Sequence, residues 1–138
     1  MTRDDDLIRT LMLVLEQARD YVSDNLTVEG YSRDQVAYHL GLIVRAGYAE
    51  GPQPRYSCTG SDPTVPMAVV VSRLTPVGHD FIAMLRDEIV WLKVKERLAK
   101  VGGSASLEVV GQVGASIAKQ MLGLCREKNR TLVATTAA

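Results

Sequence analysis

Between Ser32 and Tyr48 the sequence is SRDQVAYHLGLIVRAGY, a pattern that predicts a helix with a defined start and a defined end. Ser32 and Gln35 have the spacing of a capping box, in which each side chain accepts a hydrogen bond from the backbone N–H of the other residue. Gly47 stands where a left-handed residue is expected to close the helix. Apolar residues at helical spacing form one face of this segment: Val36, Leu40, Ile43 and Val44. We therefore predict a helix over 33–46.

On the N-terminal side of this segment, residues 4–22 have the pattern of an amphipathic helix. Leucines recur at four-residue steps along it: Leu7, Leu11 and Leu15. The acidic run Asp4–Asp6 stands at its start, where the helix dipole favours negative charge. A very short strand is predicted at 26–28, between this helix and the next.

On the C-terminal side, residues 49–74 have the pattern of a β-hairpin. Prolines throughout the first part exclude a helix there: Pro52, Pro54, Pro63 and Pro66. The first strand is predicted at Arg55–Cys58 and the second at Met67–Leu74, which contains three consecutive valines. A polar loop, Thr59–Pro66, connects them.

Helices are predicted again after the hairpin. Thr75-Pro76 is a capping residue followed by proline at the first helical position. Apolar residues then occupy two nearly opposite faces, so we expect a break or kink near 87–91, or a second partner surface there. A last helix is predicted at about 107–126. These elements suggest three segments: a first domain over 1–101, a C-terminal packing or dimerisation helix over 102–126, and a flexible tail over 127–138.

The order of helix, short strand, helix, two-stranded wing and helix is typical of a winged helix, a relative of the helix-turn-helix. Residues 38–48 resemble the end of a winged-helix recognition helix, and residues 74–82 resemble the stretch that follows the wing in many regulators. The predicted fold class is therefore mainly α with a small β-hairpin wing (α+β), in which C-terminal helices follow the winged helix.

A wider set of motifs, spread over residues 3–107, resembles a family of small uncharacterised proteins, a domain of unknown function often carried by phages and prophages. The motifs are Arg3–Arg9, Tyr38–Leu40, Leu74-Thr75, Gly78–Phe81, Arg86-Asp87, Trp91, Val94-Lys95, Gly102–Ser104 and Ser106-Leu107. The resemblance implies a winged helix and a mobile-element setting, and it brings no established activity. Tyr48 stands where Leu or Ile is usual after Ala-Gly, which bears on packing at the base of the wing.

The charges of the chain cancel. Lys and Arg number 16, as do Asp and Glu, so the formal net charge is zero. Residues 1–75 hold seven basic and ten acidic residues (net −3), whereas residues 76–138 hold nine and six (net +3). The predicted winged helix is thus the acidic part of the chain. A surface that binds DNA usually contributes several Lys or Arg residues to phosphates.

Two functions are open for the winged helix. The first is a regulator that binds double-stranded DNA. The candidate DNA-binding residues are Arg33, Gln35, Tyr38 and Arg45 on the predicted helix and Arg55 and Arg73 on the hairpin. The alternative is a module that binds a host or phage protein, for which an exposed Leu42 beside Tyr38 is a better contact than it is for a phosphate.

The last predicted helix carries apolar and small residues at alternating four- and three-residue steps, the spacing of a helix that packs along another helix. These residues are Val110, Gly114, Ile117 and Met121. A homodimer through residues 107–125 is one interpretation. Packing against a helix of the same chain is the other, because a small domain needs all of its apolar surface.

The remaining sequence features predict a protein that is not an enzyme and holds no metal or cofactor. His79-Asp80 and the glycine-rich segment 102–106 are explained by the start and the end of helices. Cys58 and Cys125 have no spacing typical of a metal site or a redox pair, so we expect free thiols. The acids after Met1 do not form a signal peptide, and no apolar run is long enough to span a membrane, which predicts a cytoplasmic protein.

Overall fold

The computed structural model describes residues 2–56, 62–101 and 106–121. The helices are α1 Asp5–Gln17, α2 Arg33–Arg45, α3 Pro76–Leu85, α4 Glu88–Val101 and α5 over 107–121. The strands are β1 Val22–Ser23, β2 Ala49–Glu50, β3 Arg55–Tyr56, β4 Pro66–Ala68, β5 Val70–Val71 and β6 Arg73–Leu74. The protein is mainly helical with short antiparallel strand pairs, which confirms the predicted α+β class.

The two arms of the predicted hairpin pair with each other. β2 pairs antiparallel with β6, and β3 pairs antiparallel with β4, with a register shift between Arg55 and Tyr56. The second arm has an additional partner, because β5 pairs antiparallel with β1, placing Val22 opposite Val71. The hairpin is therefore joined to the strand that follows α1.

The predictions for the segment between α1 and α2 were wrong in two respects. α1 ends at Gln17 rather than at residue 22, and the short strand is Val22–Ser23 rather than 26–28. The reason is tertiary pairing. Asp24 donates its backbone N–H to the carbonyl of Val69 (3.1 Å) and accepts the Val69 N–H on its carboxylate (3.2 Å). These bonds hold the end of β1 in an extended conformation, against the helical spacing of the sequence.

The predicted start of α2 and the capping residues at both of its ends are confirmed. The Ser32 hydroxyl accepts the Gln35 N–H (3.3 Å), and the Gln35 amide oxygen accepts the Ser32 N–H (2.8 Å), which completes the capping box. Gly47 has φ +84°, a conformation that glycine adopts without steric cost. The last helical residue is Arg45, one residue before the predicted end.

The helix after the hairpin starts as predicted, and it breaks at the N-terminal end of the predicted range 87–91. The Thr75 hydroxyl accepts the Gly78 N–H (3.0 Å) at the start of α3. Gly78 is required by a close approach, since a Cβ at this position would overlap the carbonyl oxygen of Tyr48. The break falls at Arg86-Asp87, where the Asp87 carboxylate accepts the Ile89 N–H (2.8 Å) and caps α4.

The chain forms two compact units, Met1–Ala83 and Met84–Ala138, so a unit boundary falls within α3, inside the segment 1–101 that the sequence suggests as one domain. In the first unit, Tyr48 stacks on Phe81 with ring centroids 4.5 Å apart, and both rings are buried. Tyrosine therefore packs well at this position. The first unit has a core drawn from α1, α2, the strands and α3: Leu7, Leu11, Met12, Leu40, Ile43, Val71 and Ile82.

Several predictions fall outside the described residues. They concern Ser57 and Cys58 of the first hairpin strand, the glycine-rich break at 102–105, the end of the last helix after 121, Cys125, and the tail at 127–138. Among the helices that the structure describes, none has the length and apolar character needed to cross a membrane.

Candidate functional site

A groove of about 430 Å³ lies between α2 and the hairpin, within the first compact unit. Its described lining consists of Tyr38, Leu42 and Arg45 from α2, Tyr56 from β3, and Pro63 and Thr64 from the segment before β4. We call it the α2–hairpin groove. Two aromatic rings, a leucine and a proline give it a partly apolar surface, and Arg45 is the cation of the described lining.

Gly41 explains how the hairpin approaches α2. This glycine is buried in the middle of the helix, and a Cβ there would lie 3.1 Å from the Tyr56 hydroxyl and 3.4 Å from Cγ of Pro66. The absence of a side chain lets Tyr56 lie against the helix. The Arg45 guanidinium then lies over the Tyr56 ring, 5.8 Å from its centroid, within the range of a cation–π contact.

Leu42 is half-buried rather than exposed as predicted, because it faces the groove and not open solvent. Tyr38 is also half-buried, and its ring meets that of His39 edge to face at 5.2 Å between centroids. These positions give α2 an apolar surface that is recessed, a shape suited to receiving a side chain or a segment of chain.

An acidic residue, Asp62, directly precedes Pro63 of the α2–hairpin groove lining. The Asp62 carboxylate accepts hydrogen bonds from the Thr64 backbone N–H (2.9 Å) and the Thr64 hydroxyl (2.6 Å). These bonds lower the pKa of Asp62 below its ordinary value. A negative charge therefore lies next to the groove lining at neutral pH, and it disfavours any anionic group, phosphate or carboxylate, on that side of the groove.

Arg33 is exposed, but its guanidinium is hydrogen-bonded to groups of the chain itself. Its Nη2 donates to the Asp24 carboxylate (2.6 Å) and to the carbonyl of Met67 (2.6 Å), and its Nη1 donates to Asp34 (3.2 Å). Burial alone would raise the pKa of Asp24, but the hydrogen bonds from Arg33 and from the Val69 N–H lower it. Arg33 thus joins the start of α2 to the segment after β1 and to β4.

Two other predicted DNA-binding residues also have partners within the chain. The Gln35 amide oxygen caps α2, and the side chain is half-buried. Arg73 donates to Glu50 (3.0 Å) in an exposed cross-strand pair. Arg45 and Arg55 are different, because both are exposed and neither has a carboxylate partner among the described residues.

The structure therefore brings Tyr38, Leu42 and Arg45 together in one groove and leaves Arg33, Gln35 and Arg73 outside its lining. The groove is completed by residues that were not predicted from the sequence: Tyr56, Pro63 and Thr64. A glycine inside an otherwise regular helix was the available signal, since it often marks a close approach by another segment. Which segment approaches it depends on the strand register.

His39 is a further residue whose role sequence analysis missed. It is buried, its Nδ1 contacts the carbonyl of Gln35 (2.6 Å), and its Nε2 accepts the backbone N–H of Asp4 (2.7 Å). These two contacts require the neutral ring with the proton on Nδ1. Burial lowers the pKa of His39, in agreement with this form. His39 ties the start of α1 to α2.

In the second unit, the predicted seam on α5 is largely buried within the chain. Val110 and Ile117 are 1% and 2% exposed, Gly114 is buried, and Met121 is half-buried. A Cβ on Gly114 would lie 2.9 Å from Cδ2 of Leu85, so α5 closely approaches the end of α3. Of the two interpretations, packing within one chain is the one that these contacts favour.

Comparison with known proteins places the chain in a family. Residues 2–105 match the family described as hypothetical protein (DUF2513). The chain is 30% identical over 126 residues to an uncharacterized protein of Haemophilus influenzae, an alignment that covers 88% of this chain and 99% of that protein. No solved structure is significantly similar to the chain. Because the match covers residues 2–105 of 138, the chain belongs to the DUF2513 family.

Proposed function

We propose that this protein is a non-enzymatic binding module in which residues 5–85 form a winged helix whose α2–hairpin groove binds a segment of another protein. One observation carries the proposal. The groove combines a recessed apolar surface with an exposed arginine that has no carboxylate partner among the described residues. A peptide that carries an apolar side chain next to an acidic one has the matching chemistry.

The arrangement of α2 is less suited to reading DNA. In a helix-turn-helix, a first helix crosses the DNA backbone and positions the second in the major groove. Here, in the fully described stretch between β1 and α2, the chain forms turns and extended segments rather than a helix. Arg33 and Arg73, two of the predicted phosphate or base contacts, are paired with carboxylates of the chain itself.

Duplex DNA is the second candidate ligand of this face, and a specific observation favours it. Arg45 and Arg55 are exposed and lack carboxylate partners among the described residues, so they are available to phosphates. The involvement of Arg33 with Asp24 opposes this candidate, because it engages one of the predicted DNA contacts within the chain. We therefore rank it second.

The test compares two variants in which a leucine is replaced by glutamate, one inside the groove and one outside it. Leu42→Glu places a charge in the α2–hairpin groove, whereas Leu92→Glu places the same charge on α4 at a side chain that is already 63% exposed. The full-length protein and both variants are used to capture partners from a lysate of the bacterial host, with and without nuclease. We expect a nuclease-resistant partner, of host or phage origin, that Leu92→Glu retains and Leu42→Glu loses.

The opposite pattern identifies the second candidate. Retention of a duplex that weakens steeply with salt and is lost in the Arg45→Gln, Arg55→Gln double variant would show that this face binds DNA. A captured protein that Leu42→Glu and Leu92→Glu retain equally would place the contact elsewhere and contradict the proposed groove. Circular dichroism of each variant checks that the fold persists.

A further inference from the structure

The net charge of the chain is zero because its two compact units carry opposite net charges of equal size. Residues 1–83 hold seven basic and eleven acidic residues, a net charge of −4. Residues 84–138 hold nine basic and five acidic residues, a net charge of +4. Cations are therefore concentrated in the second unit.

A second groove, of about 310 Å³, lies within this basic unit between α4 and α5. We call it the α4–α5 groove. Lys93, Arg97 and Lys100 line it from α4, and Ile117 and Gln120 line it from α5. The three cations are exposed and follow one another at four- and three-residue steps, so they share one face of the helix. At the rise of an α-helix they form a row about 10 Å long.

Little inside the groove neutralises this row. Glu96 is the acidic residue of the described lining, and its carboxylate lies 3.9 Å from Nζ of Lys100, with both side chains more than two-thirds exposed. A pair of this kind is weak in water. Arg97 donates from Nη2 to the amide oxygen of Gln120 (3.0 Å), a neutral partner that orients the guanidinium and leaves its charge in place. The described lining has a net charge of +2.

We propose that the α4–α5 groove binds the phosphate backbone of a nucleic acid. A groove lined by one sign of charge focuses the electrostatic field and attracts a polyanion. A nucleic acid presents a phosphate at every nucleotide, so a row of cations meets anions in any register. An acidic protein would need carboxylates placed at matching intervals. The contacts are to the backbone, so binding is independent of sequence.

This inference does not depend on the proposed function, because it concerns other residues in the other unit. The test measures binding of a fluorescently labelled duplex of random sequence, and of a single strand of the same length, to the full-length protein from about 25 to about 200 mM salt. Three neutralised phosphates predict a slope of log K against log salt of about −2.7 for the duplex and about −2.1 for the single strand.

Substitutions assign the contacts. We expect each of Lys93→Gln, Arg97→Gln and Lys100→Gln to reduce the magnitude of the duplex slope by about 0.9, and the triple variant to bind at least about tenfold more weakly at low salt. Lys95→Gln is the matched control, since it removes the same charge from α4 at a residue outside the groove lining. The fluorescence of Trp91 shows whether the triple variant keeps its fold. If it does not, the slopes of the single variants still assign the contacts.

Three outcomes overturn the inference. The first is no binding of either nucleic acid at the lowest salt concentration. The second is binding that the triple variant retains, or that Arg45→Gln with Arg55→Gln abolishes instead, which would move the contact to the face of α2. The third is displacement of the labelled duplex by polyglutamate as effectively as by unlabelled duplex, which would identify an acidic protein as the ligand.

Discussion

His39 shows how much one side chain contributes to the assembly of the first unit. Its ring spans two backbone groups, the Asp4 N–H at the start of α1 and the Gln35 carbonyl within α2. A proton on Nε2 would face the Asp4 N–H and abolish the hydrogen bond between them. The neutral ring is therefore a condition for this packing, and the contact makes the stability of the fold depend on pH.

We predict that the free energy of unfolding falls as the pH decreases through about 6.5, the ordinary pKa of histidine. Because burial lowers the pKa of His39 in the folded protein, the unfolded chain binds the proton at a higher pH than the folded one does. The contribution of His39 to the free energy of unfolding is complete at neutral and higher pH. Once the pH is below the pKa of His39 in the folded protein, no further stability is lost through this side chain. Urea unfolding of the wild type between about pH 5 and pH 8 measures it.

The matched variants are His39→Gln and His79→Gln. His79 is exposed, so its replacement should leave the pH dependence unchanged. His39→Gln should be less stable at neutral pH and should have a flatter profile in the same range. If His39→Gln and the wild type lose stability in parallel as the pH falls, the proton is taken up elsewhere.

At the scale of elements, α2 is positioned by polar contacts at its first residue as well as by its apolar face. Arg33 connects three segments that are far apart in the sequence, through Asp24 on one side and the Met67 carbonyl on the other. This arginine was predicted to contact DNA because it stands on the exposed side of a predicted recognition helix. Only the register of β1 and β5 brings Asp24 within reach of it.

We predict that Arg33→Ala destabilises the protein by about 1–2 kcal/mol, since it leaves the largely buried carboxylate of Asp24 without its cation. The value stands below that of a fully buried pair because the Arg33 side chain is 45% exposed. Arg55→Ala, which removes an exposed arginine without a carboxylate partner among the described residues, should change stability little. Chemical denaturation compares the two, and equal effects would show that the contacts of Arg33 contribute nothing specific.

At the scale of the whole molecule, the aromatic residues report separately on the two units. Trp91 is the single tryptophan and belongs to the second unit, whereas the tyrosines all precede residue 83. Tryptophan fluorescence therefore follows residues 84–138, and the tyrosine signal follows residues 1–83. This division allows a destabilising substitution to be assigned to one unit.

We predict that Ile117→Asp destabilises the second unit by about 3 kcal/mol or more, because it places a charge at a side chain that is 2% exposed. The Trp91 transition should move to lower denaturant, with a smaller change in the tyrosine signal. Ser116→Asp adds the same charge at the neighbouring exposed position and should leave the Trp91 transition in place. An unchanged Trp91 transition with a halved mass in light scattering would instead indicate that Ile117 lies in a dimer interface.

The local sequence was sufficient to predict elements whose ends are stabilised by neighbouring residues. The capping box of Ser32 and Gln35, the Thr75-Pro76 start and the break before α4 all depend on hydrogen bonds between residues no more than four positions apart. It was also sufficient for the mainly helical α+β class and for the antiparallel pairing of the hairpin arms. Propensity and capping act locally, so a single sequence contains them.

Tertiary structure alone decided the features that join distant segments. The position of β1, the pairing of Arg33 with Asp24, the place of Tyr56 on Gly41 and the burial of the α5 seam each depend on contacts between residues more than eight positions apart. Periodicity does not contain this information, because many registers satisfy the same pattern of apolar residues. For the same reason, the sequence identified the arginines of the first unit, and only the fold distinguished those with internal partners from those available to a ligand.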